Sequence, residues 1–129
     1  MAPPSFLAAV RGHAGACALV NDRTGQVLAS AVDVAGTRAS RRRGLLGRDS
    51  LDPSAALIIA PCSAIHMFFM RFAIDAVFVD RGGRVLKIVH GLKPWRIAAS
   101  LGAYAVVEMS SGSTRRSDVS VGDRLSVRT

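Results

Sequence analysis

Asp75 stands inside an apolar run, Ile74-Asp75-Ala76-Val77-Phe78, where strand alternation turns it toward a packed face. A carboxylate taken out of water must be hydrogen-bonded, paired with a cation or protonated. The sequence offers Arg71, Arg43, His66 and the N–H groups of a loop as partners. Glu108, set in Val106-Val107-Glu108-Met109, poses the same problem. Two chemistries follow. In the first, each carboxylate clamps a loop or the arginine-bearing segment, since structural pairs perturb carboxylates as readily as active sites do. In the second, Asp75 is the polar spot at the floor of a pocket. Phe69, Met70, Phe72 and Trp95 would line it, with His66, Arg71 and Glu108 contributing polar groups.

Cys62, His66, His90 and Asp75 are the residue types of a metal site or a catalytic thiol. An extended chain would hold Cys62 and His66 about 13 Å apart. No second C-x2-C or H-x3-H pair supports metal binding. A thiol mechanism would use Cys62 with His66 or His90 and Asp75, but no nucleophile-elbow sequence accompanies it. No catalytic residue, metal or cofactor is therefore assigned.

The formal charge is +8 and the pI about 11.2, carried by fifteen Arg against two Lys. Arginines cluster only at Arg38, Arg41, Arg42, Arg43 and Arg48. Arg41, Arg42 and Arg43 point different ways round a helix. They read either as a solvated face or as an anion or partner patch. Nucleic acid is not the expected partner, because no aromatic residue interleaves with the cluster to stack on bases. Net charge bears on non-specific association rather than on role.

The elements that must position these groups are mostly short strands. Residues 16–20 and 26–34 read as a hairpin closed by Asn21-Asp22-Arg23-Thr24-Gly25. Thr37 is placed to cap a helix over residues 38–47, with Gly44 permitting close backbone approach and Gly47 ending it. Residues 55–60 form a continuous apolar run between Pro53 and Pro61, expected to be buried on both faces. Residues 65–69 are strand-like. Residues 73–80 alternate with period two and pair with 85–90 through Asp80-Arg81-Gly82-Gly83-Arg84. Residues 91–96 are an irregular connection carrying the only Trp. Strands follow over 103–109 and 124–128, with one helical turn between 110 and 117.

The expected fold is mainly β, an antiparallel jelly-roll-like sandwich or partly open barrel with one or two short helices. Residues 16–129 form one domain, long enough for a sizeable core, behind a loosely packed arm over residues 1–15. His13 lies in that arm and is expected to be inert. The arm lacks the basic start of a secretory leader. No apolar run reaches the roughly 18–20 residues that cross a membrane. A cytoplasmic location is expected, with the periplasm as the alternative. Cys17 and Cys62 are expected to be reduced, or joined if the chain is exported.

Arg43-Gly44-Leu45-Leu46-Gly47-Arg48 with Leu51 resembles the R-G-L-M-G-R…L motif of the domain of unknown function 192 family. Residues 66–80, HMFFMRFAIDAVFVD, resemble that family's H-T-F-x-M-R-F-P-I-D-V-V-F-L-D segment. Gly83-Arg84-Val85, Pro94-Trp95-Arg96, Val107-Glu108 and Val121-Gly122-Asp123-Arg124 fall where its later motifs fall. Met67 and Ala73 depart from its usual Thr and Pro. The resemblance implies a compact jelly-roll-like β domain and no established reaction.

Function must then come from the site. The leading expectation is a domain that binds a small ligand or partner peptide around Asp75 and is not an enzyme. The alternatives are a hydrolase- or lyase-like enzyme using Asp75 and Glu108 with His66, and non-specific nucleic-acid association through the arginines between 38 and 48.

Overall fold

Strand β6 (Ile74–Val79) is buried along its whole length. It sits between two partners and is covered on both faces, which is why its sequence is apolar at every position but one. In the computed structural model, which describes Phe6 and residues 17–128, it belongs to a five-stranded sheet. The other strands are β3 (Ala31–Ala35), β4 (Ala55–Ile59), β9 (Ala105–Ser110) and β7 (Val85–Leu92), in the order β3-β4-β9-β6-β7. A second sheet holds β1 (Ala18–Asn21), β2 (Val27–Ala29) and β10 (Leu125–Arg128), in the order β10-β1-β2. A two-stranded ribbon pairs β5 (Ala64–His66) with β8 (Ile97–Ala99). Two short helices, α1 (Arg38–Arg43) and α2 (Ser113–Arg116), complete the described residues.

Period two divides the interior in two. Val77 and Val79 face a core shared with Leu19, Leu28, Leu125 and Val127 of the second sheet. Ile74, Ala76 and Phe78 face the opposite side. There they pack with Leu57, Ile59 and Val106, under Leu45, Leu51, Ile65, Met67 and Met70. The protein is a mainly β sandwich whose second face is roofed by α1, the segment after it and the ribbon.

Several expectations change. The strand read over residues 26–34 breaks at Ser30: β2 pairs with β1, and β3 crosses to the other sheet. Both Ser30 and Ala31 donate backbone bonds to the Ser54 carbonyl, which fixes the crossing. β3 and β4 run parallel, with α1 in the crossover between them, so the sheet is not wholly antiparallel. Helix α1 stops at Arg43 because Gly44, at φ +47° and ψ −125°, leaves helical space. Residues 97–99 form a further strand, β8. The ribbon strand β5 ends at His66, short of Phe69. Phe6 also departs from the loose arm: it is buried in the first core and donates its N–H to the Arg81 carbonyl. The rest of residues 1–15, His13 included, lies outside the described residues.

Cys17 lies in the first core and Cys62 borders the second; they do not form a disulfide. No helix among the described residues is long and apolar enough to cross a membrane.

Candidate functional site

Glu108 leaves β9 on the second face. In register it opposes Ala76 on β6 and Leu57 on β4. Directly opposed residues share a face, and Glu108 borders open space on that side. A cavity of about 260 Å³ opens there. Ile59, Ile65, Met67 and Met70 give it apolar walls, and Cys62, Ala64 and His66 form one edge. The end of α1, with Arg41, Arg42, Arg43 and Gly44, also lines it.

Helix α1 holds that edge by local rules. Thr37 and Ser40 form a reciprocal capping box, Ser40 N–H to Thr37 Oγ1 at 3.0 Å and Thr37 N–H to Ser40 Oγ at 2.9 Å. Its last turn carries the three arginines, where cations suit the negative end of the helix dipole. Leu45 then plugs into the core. A methyl group on Gly44 would sit 3.9 Å from Glu108 Oε1 and 3.8 Å from Ile59 Cδ1. Gly44 thus stands close to the carboxyl.

Glu108 is only 5% exposed, and no hydrogen bond or ion pair reaches it from the described residues. Among them no fully enclosed side-chain oxygen lacks a partner, so its carboxyl oxygens keep some surface on the cavity. Burial pushes its pKa from 4.5 up to about 7. Burial also raises the Cys62 thiol, whose Sγ–H donates to the Ala64 carbonyl at 3.1 Å. That thiol stays protonated at neutral pH and is not an activated nucleophile.

Asp75 does not reach this cavity. It opposes Met109, one residue out of step with Glu108, so it leaves the sheet on the first face. It has no exposed surface and accepts four hydrogen bonds. These come from Gly91 N at 2.8 Å, Gly112 N at 3.1 Å, Thr114 N at 3.0 Å and Thr114 Oγ1 at 2.7 Å. Burial alone would raise its pKa, but those bonds together hold it below the ordinary 3.8. Thr114 gives its single proton to Asp75, so His90 Nδ1, 2.8 Å from the same hydroxyl, must be the donor there. Asp75 therefore ties the β7 bulge region to α2, and the pocket floor expected of it belongs to Glu108.

The other candidates divide. His66 and Met70 border the cavity. Arg71 points away, paired with Asp49 at 2.6 Å with both side chains exposed. Phe69 and Trp95 are 74% and 59% exposed and touch each other, ring centroids 4.9 Å apart. Phe68 joins Trp95 at 5.8 Å and stacks on His66 at 4.8 Å. The result is a continuous row, His66-Phe68-Trp95-Phe69, along the ribbon. Phe69 and Trp95 both hold positive φ, +66° and +69°. The Met67 carbonyl secures them, accepting Trp95 N–H at 2.8 Å and Met70 N–H at 3.2 Å.

The family model described as "Uncharacterized ACR" (DUF192) matches residues 19–127. The chain belongs to the domain of unknown function 192 family. Two relatives are each named "UPF0127 protein". That of Thermococcus sibiricus is 30% identical over 83% of this chain and 72% of its own. That of Thermococcus gammatolerans is 32% identical over 84% and 73%. Two crystal structures share the fold. One, from Sinorhizobium meliloti 1021 and named a "putative transcription regulator", has a TM-score of 0.75 at 22% identity, covering 90% of this chain and 98% of that one. The other, a protein of unknown function from Novosphingobium aromaticivorans, has a TM-score of 0.73 at 23% identity, covering 85% and 82%.

The DUF192 motifs thereby acquire places in this molecule. Arg43 to Leu46 of the first motif line the cavity, and His66 to Met70 of the long motif supply cavity wall and ring row. Ile74 to Val79 is the buried strand β6, and Asp80 opens the turn after it. The Val121-Gly122-Asp123 motif is structural. Asp123 accepts Arg23 Nε at 2.6 Å, Asn21 Nδ2 at 2.9 Å and Ser120 N at 2.8 Å. Sequence reasoning gave no role to Met67, Phe68 or Gly44 at the site. The available signal was the pair of apolar residues between Met67 and Met70. Two buried Met three apart leave the two Phe between them on the outside of a turn.

Proposed function

We propose that this DUF192 domain binds a small molecule in the Glu108 cavity, with the Glu108 carboxyl as the recognising group. One observation carries the reading: a glutamate only 5% exposed, its carboxyl without a partner among the described residues and bordering a cavity. Folding leaves a buried polar group in that condition only at a cost of about 1–3 kcal/mol, and a ligand donor would recover it. The volume suits a small ligand, about eight or nine waters' worth of liquid. Such a ligand carries an N–H or cationic group for Glu108 and a short apolar body for Ile59, Ile65, Met67 and Met70. Any anionic end would lie toward Arg41, Arg42 and Arg43.

The enzyme alternative loses its support. It loses Asp75, which leaves the sheet on the face opposite Glu108, and keeps only Glu108 and His66 on the lining of one cavity.

A thermal-shift screen at neutral pH with small amines, guanidines and amino acids tests the proposal. Concentration-dependent stabilisation that Glu108→Gln abolishes is expected. Stabilisers that act equally on wild type and Glu108→Gln would place binding elsewhere.

A further inference from the structure

The ring row meets the Glu108 cavity only at His66 and has its own anomaly. Folding has left Phe68, Phe69, Trp95 and the neighbouring Ile97 exposed on one ribbon, with Phe69 at 74% and Ile97 at 72%. It has done so with two of them in left-handed backbone, a conformation that costs on the order of 1–3 kcal/mol each for bulky residues. Strain that turns large apolar rings outward makes no sense for stability alone. Exposed rings in mutual contact are a stacking platform.

The charge beside the platform names its partner. His66 belongs both to the ring row and to the lining of the cavity that Arg41, Arg42 and Arg43 also line. None of those three arginines makes an ion pair among the described residues, whereas Arg23, Arg71 and Arg128 do. Along the chain no aromatic residue interleaves with the arginine cluster. In space His66, at one end of the ring row, lines the same cavity as the three arginines. The whole chain carries +8. Aromatic faces beside uncompensated arginines on a basic protein match a strand of phosphates with accessible bases. A duplex, whose bases are already stacked, would leave the rings unused.

We propose that the row His66-Phe68-Trp95-Phe69 and the adjoining Arg41, Arg42 and Arg43 form a docking surface for single-stranded nucleic acid. Bases stack on the outward faces of Trp95 and Phe69. Phosphates follow the end of α1. The surface reads no sequence, because every base offers a π face.

Trp95 is the only tryptophan, so its fluorescence reports the contact directly. Oligo-dT and oligo-U of about 15 nucleotides, within reach of known single-strand site sizes, are titrated into the full chain at several salt concentrations. Quenching of Trp95 and a fall in affinity as salt rises are expected. Replacing Arg41, Arg42 and Arg43 together by Ala should flatten the log–log salt slope by about 2, at roughly 0.7 per phosphate contact. Trp95→Ala, followed by anisotropy of a labelled strand, should weaken binding about 5- to 150-fold and leave the slope unchanged. Unquenched Trp95, or equal affinity for duplex of the same length, overturns the proposal. So does binding only to anionic vesicles or to an acidic peptide, or self-association that consumes the patch.

Discussion

Asp75 and Glu108 sit on adjacent strands one residue out of register, and their carboxyl groups leave the sheet on opposite faces. Asp75 opposes Met109, while Glu108 opposes Ala76. That single step separates two fates for two carboxylates in equally apolar settings. Asp75 meets the N–H groups of its own chain and is held ionised. Glu108 meets a cavity and is pushed toward its neutral form.

Asp75→Asn should lower stability by ~3 kcal/mol or more. The amide keeps one acceptor oxygen where three N–H groups and the Thr114 hydroxyl now point. In wild type the folded pKa lies below the unfolded value near 3.8. The contribution of Asp75 is therefore present above that pH and lost as pH falls below it. Denaturant titrations of both proteins between neutral and acid pH check this. The gap should narrow on the acid side.

Glu108→Gln should move stability the other way. The folded carboxyl keeps its proton to about pH 7, the unfolded one only to 4.5. Between those values the folded state holds more protons, so wild-type stability falls as pH rises through the window. The penalty above pH 7 is on the order of 3 kcal/mol. Gln should thus stabilise at pH 8 by several degrees in Tm and do little at pH 4. Calorimetry across that range gives the answer, and a flat difference would count against a raised pKa.

Asp123→Asn should cost stability at neutral pH and little in acid. Its bonds with Arg23, Ser120 and Asn21 hold the carboxyl at about 2 against a usual 3.8. That stabilisation is present above about pH 4 and disappears as pH falls toward 2. The variant should be weakened at neutral pH, and the difference from wild type should vanish near pH 2. Far-UV circular dichroism during acid titration follows it.

Gly44→Ala should cost about 1–3 kcal/mol, because φ +47° with ψ −125° is glycine's territory. Its methyl group would also stand beside Glu108 and Ile59. A chemical denaturation midpoint shift measures the first effect. Weakened response to any Glu108-dependent ligand measures the second.

Much of this was legible from residue order. The apolar alternation of residues 74–79 gave the central strand, and Asp80-Arg81-Gly82-Gly83-Arg84 gave the hairpin. Thr37 gave the helix start. The parallel β3–β4 pair was hidden because Ser30 and Asp33 make residues 26–34 look like one half-exposed strand. Which carboxylate faces a cavity depends on register between strands thirty residues apart, and no local pattern encodes it. The ring row was hidden for the same reason: Phe69 and Trp95 meet only after the ribbon pairs β5 with β8.

The central claim is that Glu108 waits for a ligand, and carboxyl-carbon NMR of Glu-labelled protein tests it most directly. The Glu108 signal should titrate near pH 7 alone, and a stabilising amine or guanidine should shift the signal and lower its midpoint as the ionised form gains a donor. An ordinary midpoint near 4.5, indifferent to every compound that stabilises the protein, would contradict the account.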